Sequence, residues 1–145
     1  MAGPVKGEQL LLVEREVERA IVAFYHALDS SDFLYLENAL TPEGEWHRQG
    51  KVLKGPAMIR QAMKEREPGA RTRHLVTNLL IDSATETTAA ARYYMIAFRG
   101  DGNPGRPTPD PIALPRAVAL YSVKLARSGD KWLFTHIGGE TIFKG

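Results

Sequence analysis

The sequence predicts an α+β fold in which three helices come first and a mostly antiparallel sheet follows. Two observations favour this class. Apolar residues recur at helical spacing near the start of the chain, whereas residues 71–143 consist mainly of long segments rich in branched and aromatic residues. No internal repeat or linker divides the 145 residues. We therefore expect one domain, residues 1–145, with the helices laid on one face of the sheet.

The first helix is predicted from about residue 8 to Asp29, because one of its faces is apolar at every third or fourth position. The residues on that face are Leu10, Val13, Val17, Ile21, Phe24 and Leu28. A short second helix follows, with Ser30, Ser31 or Asp32 as its N-cap. It carries Phe33, Leu36 and Leu40, and the segment 41–44 is predicted to end it.

Residues 45–54 are predicted to form two short strands around a turn at Gly50. Gly55 and Pro56 then open a third helix, since proline suits a first helical turn, and the Pro-Gly pair at 68–69 ends it.

Four long strands are predicted over residues 71–82, 87–100, 116–127 and 131–143, with tight turns at 83–86 and 128–130. The connection 100–115 contains five prolines and three glycines, which excludes regular structure. We interpret it as a mobile loop, with an ordered lid over the mouth of a pocket as the alternative. Several strands carry apolar residues at both odd and even positions, which face opposite sides of a sheet. Both faces of the sheet are therefore expected to be covered.

Composition excludes several classes of function. The net charge of +2 is small and the basic residues are scattered, which does not favour nucleic acid as a partner. The chain has no cysteine, no HExxH motif, no GxGxxG loop and no GxSxG motif. We therefore expect no metal, no cofactor and no serine or cysteine nucleophile. No apolar run approaches about 18 residues, and the first nine residues do not resemble a signal peptide, so a cytoplasmic protein is the default expectation.

Asp29 and His74 are the candidate catalytic residues. A carboxylate at the end of a helix and a histidine on a strand can meet if the helix covers the sheet, and together they could orient and perform proton transfer. The alternatives are a structural histidine and an aspartate that only caps a turn. A carboxylate at a helix C-terminus is disfavoured by about 0.3–1 kcal/mol, which a proton-donating partner would relieve. His47 is the next candidate base; His26 is interpreted as a surface residue and His136 as facing away from the pocket.

A largely apolar pocket is predicted beside this pair. Its expected lining residues are Phe24, Trp46, Met58, Met63, Val76 and Ile137, with Asn78 and either Tyr93 or Tyr94 as polar groups. For each residue taken alone, ordinary core packing is the alternative interpretation.

The order of the motifs ALDSSDF, TPEGEW, LKGPAMI, RTRHLVTN, TTAAARYY and GDKWLFTHI resembles the SnoaL-like proteins of the nuclear-transport-factor-2-like superfamily. This superfamily includes scytalone dehydratase, ketosteroid isomerase, a bile-acid dehydratase, hexachlorocyclohexane dehydrochlorinase and small subunits of ring-hydroxylating oxygenases. The resemblance covers residues 8–143. It implies a cone-shaped, curved sheet of five or six strands with the three helices on its concave face.

The resemblance also implies a site. The dehydratase and dehydrochlorinase branch uses a strand histidine as base and a first-helix aspartate to orient it, and His74 and Asp29 fall on those motif positions. Where relatives place a second acid–base group, this sequence has Leu28, Phe24, Arg48 and Ala97. Their substrates are therefore not carried over.

The function implied is a cofactor-independent lyase, of dehydratase type, or an isomerase. Its ligand would be a small apolar, aromatic or polycyclic molecule. The alternatives are a non-catalytic small-molecule-binding domain and an accessory small subunit of a ring-hydroxylating oxygenase. A homodimer, or less simply a trimer, is expected to cover the outer face of the sheet.

Overall fold

Three helices precede and interrupt a sheet of six strands in the computed structural model, which describes residues 3–100, 103, 105–111 and 113–145. The helices are α1 (Gly7–Asp29), α2 (Phe33–Glu37) and α3 (Gly55–Lys64). The strands are β1 (Leu40–Arg48), β2 (Lys51–Lys54), β3 (Thr72–Ala84), β4 (Thr88–Arg99), β5 (Ala117–Ser128) and β6 (Lys131–Lys144).

The strands are ordered β2-β1-β6-β5-β4-β3, so the first and last strands of the chain are neighbours in the middle of the sheet. The β1–β6 pair is parallel and the other four pairs are antiparallel. The predicted α+β class, with three helices and a mostly antiparallel sheet, is confirmed.

The predicted end of the second helix is wrong. The helix stops at Glu37, and Leu40 belongs to β1, as do the residues 41–44 that were expected to end the helix. Strand pairing outweighs the helical spacing here, because the Phe134 N–H donates to the Ala39 carbonyl at 2.9 Å and Leu40 then pairs with Phe134. Gly44 permits this approach, since a Cβ there would lie 2.7 Å from the Phe134 carbonyl oxygen.

The core lies between α1 and the sheet. The apolar stripe of α1 is buried from Val13 onward, as predicted, whereas Leu10 is partly buried; Phe24 near the end of the helix is fully buried. The Phe24 ring packs edge-on against Trp46 and Phe134, with centroids 5.0 and 5.1 Å apart. Edge-to-face aromatic contacts of this kind add about 0.5–1.5 kcal/mol to the stabilisation that burial provides. They hold the C-terminal end of α1 in place over the middle of the sheet.

Bulges bend the sheet and shift which residues face the helices. In β6 the pairing with β5 slips between Phe134 and His136. Trp132 and Phe134 are buried before the slip and Ile137 is buried after it. His136 therefore points to the outer face, as predicted. In β3 a similar slip contains Asn78, which has a positive φ of 54°.

The described part of the loop 100–115 is tied to the start of β3. Arg71 forms an ion pair with Asp110 and also donates to the Arg106 carbonyl oxygen. The Gly100 N–H donates to the Arg71 carbonyl at 2.8 Å. Residues 101, 102, 104 and 112 of this predicted loop lie outside the described residues. Among the helices that are described, none is both long and apolar enough to cross a membrane.

Candidate active site

Asp29 and His74 are in direct contact. Asp29 is the last residue of α1 and His74 is the third residue of β3. The His74 Nδ1 lies 2.6 Å from the Asp29 Oδ1, and the His74 backbone N–H donates to Oδ2 at 2.8 Å. The Thr72 hydroxyl donates to Oδ1 at 2.9 Å. The predicted contact is therefore present. Two residues of β3, Thr72 and His74, hold the Asp29 carboxylate in one orientation.

These contacts decide the charge of Asp29. Burial alone would raise its pKa, but the hydrogen bonds and charge of His74, together with the Thr72 hydroxyl, outweigh burial and hold the pKa below its ordinary value. An ionised carboxylate only accepts hydrogen bonds, so the imidazole proton sits on Nδ1. Nε2 is then the ring nitrogen that can carry a lone pair, and it has no hydrogen-bond partner among the described residues. The His74 side chain is 18% exposed, so solvent reaches it.

The lowered pKa of Asp29 predicts a pH-dependent stability. The stabilisation from ionised Asp29 is complete above the ordinary carboxyl pKa of 3.8, and it is lost as pH falls through the lower pKa of the folded protein. Urea unfolding of the wild type and of Asp29→Asn should therefore give a free-energy difference that shrinks between about pH 5 and about pH 2. A difference that stays constant over this interval would contradict the assignment.

Three tyrosines lie next to this pair. Tyr25 is one turn before Asp29 on α1, and its ring centroid is 5.7 Å from that of His74. The Tyr25 and Tyr93 hydroxyl oxygens are 2.5 Å apart, and the Tyr93 ring stacks on Tyr121 at 5.7 Å. Gly139 makes room for Tyr121, because a Cβ there would lie 2.7 Å from that ring.

Burial raises the pKa of Tyr25 and also that of Tyr93. Both hydroxyl groups are therefore neutral at physiological pH. One of the two hydroxyl hydrogens lies between the two oxygens, and the other has no acceptor within the described part of the chain. The pair can thus donate a hydrogen bond to an oxygen placed beside His74. Tyr25 was not predicted from the sequence, although its spacing of four from Asp29 puts both residues on one helix face.

A cleft of about 250 Å³ lies between the end of α3 and the β1–β2 hairpin, and neither Asp29 nor His74 lines it. Three arginines from separate elements line it: Arg48, Arg66 and Arg99. Arg66 donates to the Leu28 carbonyl at 3.0 Å and to the Thr72 hydroxyl at 3.3 Å, which connects the cleft to the residues that hold Asp29. A second, more open cleft of about 560 Å³ is lined by parts of α1, α2 and β6, and neither Asp29 nor His74 reaches it.

Residues 9–137 match the family model of the SnoaL-like domain. The chain belongs to the SnoaL-like family. No curated protein sequence matches it.

Solved structures share the fold of this SnoaL-like protein at low sequence identity. A putative scytalone dehydratase from Novosphingobium aromaticivorans is 19% identical with a TM-score of 0.76, over 93% of this chain and 87% of that one. A protein from Catenulispora acidiphila in complex with S-DNPA is 23% identical with a TM-score of 0.70, over 90% and 94%. A type 2 hexachlorocyclohexane dehydrochlorinase is 14% identical with a TM-score of 0.74, over 93% and 88%. The predicted cone fold is confirmed.

The predicted pocket residues of this SnoaL-like chain do not form one lining. Phe24, Trp46, Tyr93 and Ile137 are buried in the packed core, as is Met63, and Val76 is partly buried against it. Met58 is 46% exposed on α3, and Asn78 is exposed at the β3 bulge, so both face solvent instead of an apolar interior.

The register of β4 settles which tyrosine faces inward. Tyr93 is fully buried, whereas Tyr94 is 49% exposed on the outer face.

The outer face of the sheet brings together three side chains that could ligate a metal ion. Ligand atoms of Glu45, His47 and His136 lie within 4.8 Å of one another. The expectation that the chain has no metal site rested on histidine spacing along the chain. Parallel pairing of β1 with β6 sets Glu45 opposite His136, which that spacing does not reveal. The Glu45–His47 contact at 3.1 Å is also an ordinary ion pair when His47 is protonated.

Proposed function

We propose that this SnoaL-like protein is a cofactor-independent proton-transfer enzyme of the lyase, dehydratase-like type or of the isomerase type, acting on a small, mostly apolar cyclic substrate. The observation that carries the proposal is the 2.6 Å contact between His74 Nδ1 and Asp29 Oδ1, which leaves Nε2 free to act as a base. Among the structures that share the fold, one is named for a dehydratase and one for a dehydrochlorinase.

The proposed reaction begins at an acidic C–H bond next to a carbonyl group. His74 Nε2 takes the proton and becomes part of an imidazolium, which the Asp29 carboxylate stabilises. The electron pair of the broken C–H bond moves into a C=C bond, and negative charge develops on the carbonyl oxygen. The Tyr25–Tyr93 hydroxyl pair donates to that oxygen.

The enolate electrons then expel a hydroxyl group from the neighbouring carbon, which takes the proton of the imidazolium and leaves as water, or the imidazolium returns its proton at another carbon and the double bond migrates. Neither route needs a metal or an organic cofactor, because the protein supplies the base, the orienting carboxylate and the neutral donor. An apolar ring is favoured as substrate because the groups beside His74 are themselves aromatic rings.

Deuterium exchange tests the proposal without knowledge of the leaving group. Purified protein would be incubated in D₂O with cyclic enones, β-hydroxy ketones and hydroxylated aromatics, and each compound would be examined by mass spectrometry. We expect catalysed exchange of one C–H position in at least one compound, with loss of water or isomerisation where the compound allows it. Absence of exchange above the buffer rate across the whole panel would contradict the proposal.

A non-catalytic small-molecule-binding domain is the second candidate. It is favoured by the packing of the interior, since Tyr25 and Tyr93 are buried and only 18% of the His74 side chain is exposed. One structural relative is in complex with S-DNPA. In this case members of the same panel would bind, as seen by native mass spectrometry, yet none would exchange.

We also propose that the protein acts as a cytoplasmic homodimer formed through the outer face of the sheet. Strand pairing places Leu75, Ile96, Val118 and Phe143 in a row across four strands. Phe143 is 68% exposed, and Tyr94 beside this row is half exposed. A two-fold axis would cover the row on both copies with the same surface.

Light scattering at micromolar concentration should give about twice the 16.1 kDa of one chain. Tyr94→Glu should lower the mass toward one chain, because it introduces charge into the apolar contact. Leu12→Glu, at an exposed position on α1, is the matched control and should leave the dimer intact. A wild-type mass of one chain or of three chains would refute the dimer.

A further inference from the structure

The cleft between α3 and the β1–β2 hairpin carries positive charge that the protein does not neutralise. Its lining has four cations, Arg48, Lys51, Arg66 and Arg99, and two carboxylates, Glu65 and Glu67. Glu67 pairs with Arg99 at 3.0 Å, and Glu65 accepts a hydrogen bond from Gln61 at 3.2 Å. Neither acid forms an ion pair with Arg48 or Arg66 in the described part of the chain.

Arg48 is the least compensated of these cations. Its guanidinium carbon lies 5.5 Å from the centre of the Trp46 ring, and none of the described carboxylates is within ion-pair distance of it. Burial lowers the pKa of Arg48, and the neighbouring positive charges of Arg66 and Arg99 lower it further. Keeping like charges together in a half-buried cleft is unfavourable unless an anion occupies the space between them.

The cleft is also connected to the proposed base. Arg66 donates to the Thr72 hydroxyl, which in turn donates to the Asp29 carboxylate that holds His74. Arg48 interacts electrostatically with Tyr121, whose ring stacks on Tyr93. His74 does not line the cleft itself, so an anionic group bound between Arg48 and Arg66 would be one end of a substrate whose reacting part lies outside the cleft.

We propose that this cleft binds the carboxylate of the substrate, with Arg48 and Arg66 as the binding residues, so that the substrate is a cyclic carboxylic acid. The proposal rests on the proposed function for the position of the reacting ring. A planar guanidinium matches the two oxygens of a carboxylate, and such charged hydrogen bonds are stronger than neutral ones. A volume of about 250 Å³ is ample for the carboxylate end of a substrate, since a cavity of about 150 Å³ already holds benzene.

Binding of benzoate and benzamide tests the subsite, because the two probes share a ring and differ in charge. Isothermal titration calorimetry on the wild type should give a dissociation constant at least about tenfold lower for benzoate. Arg48→Met should remove that preference without unfolding the chain, since the Arg48 side chain makes no hydrogen bond to a described residue. Arg92→Gln, which removes an exposed arginine paired with Asp82, is the matched control and should bind like the wild type.

Three results would overturn the subsite: equal affinity for benzoate and benzamide, an unchanged preference in Arg48→Met, or inorganic phosphate binding more tightly than benzoate. The last would show that the cleft recognises phosphate and not a carboxylate. His74→Ala separates this proposal from the proposed function, because it should keep the benzoate preference while it loses deuterium exchange. A wild-type protein that catalyses deuterium exchange but binds benzoate no more tightly than benzamide would refute the carboxylate subsite and leave the proposed function standing.

Discussion

Replacing His74 by alanine is expected to lower the rate of substrate deuterium exchange by about 10²–10⁴-fold, the usual contribution of a general base. Within the described part of the chain, the imidazole is the only group that the Asp29 carboxylate orients through a side-chain nitrogen, and its Nε2 has no hydrogen-bond partner there. The backbone N–H of residue 74 would still donate to Asp29, so the junction between α1 and β3 should remain. The measurement is the exchange rate at saturating substrate, with circular dichroism to confirm that the variant is folded.

His26→Ala provides the control for removal of a histidine. His26 is exposed on α1 three residues before Asp29, outside the Asp29–His74 contact, so its loss should leave the rate unchanged. Should His74→Ala fail to fold, His74→Gln keeps a side chain of similar reach without an imidazole base. A folded variant at position 74 with the full wild-type rate would remove His74 from the reaction, and His47 could not replace it, because His47 lies with His136 on the outer face of the sheet.

The Asp29–His74 contact could be predicted from the sequence because each residue lies in a strongly patterned element. The apolar stripe of α1 fixes which face meets the sheet, and the resemblance to SnoaL-like proteins implied a histidine at position 74 opposite the end of that helix. The three tyrosines and the arginine cleft depend instead on how separate elements meet. Arg48 ends β1 and Arg66 follows α3, so their spacing in the sequence does not predict that they line the same cleft.

The fold class could also be predicted, because its long helices and strands are strongly patterned. The errors in that prediction concern single segments. Hydrophobic periodicity identifies long helices and strands, but it does not show where a short segment pairs with a distant strand. Leu40 satisfies a helical pattern, yet pairing with β6 places it in a strand. Asn78 fits the alternation that would point it inward, but the β3 bulge leaves it exposed. Bulges change parity partway along a strand, so residue-level pocket assignments beyond them fail.

Asp29→Asn is expected to lower the exchange rate by up to about 10⁴-fold, although the side chain keeps its shape and its neighbours. An ionised aspartate accepts from Nδ1 and so keeps the proton there. The asparagine amide can instead donate to Nδ1, which would move the imidazole proton to Nε2, where the base must have its lone pair. The His74 backbone N–H can still donate to the amide oxygen in the Oδ2 position, and the Thr72 hydroxyl can accept from the amide nitrogen in the Oδ1 position.

The loss should therefore come from the tautomer, and nitrogen-15 NMR of the imidazole reports it directly. We expect the proton on Nδ1 in the wild type and on Nε2 in Asp29→Asn, with a benzoate affinity that stays close to wild type. Asp32→Asn is the matched control, since Asp32 only accepts from the Tyr35 N–H as the N-cap of α2. If Asp29→Asn shifted the tautomer but kept the wild-type rate, His74 could not be acting through Nε2, and the orienting role of Asp29 would be lost.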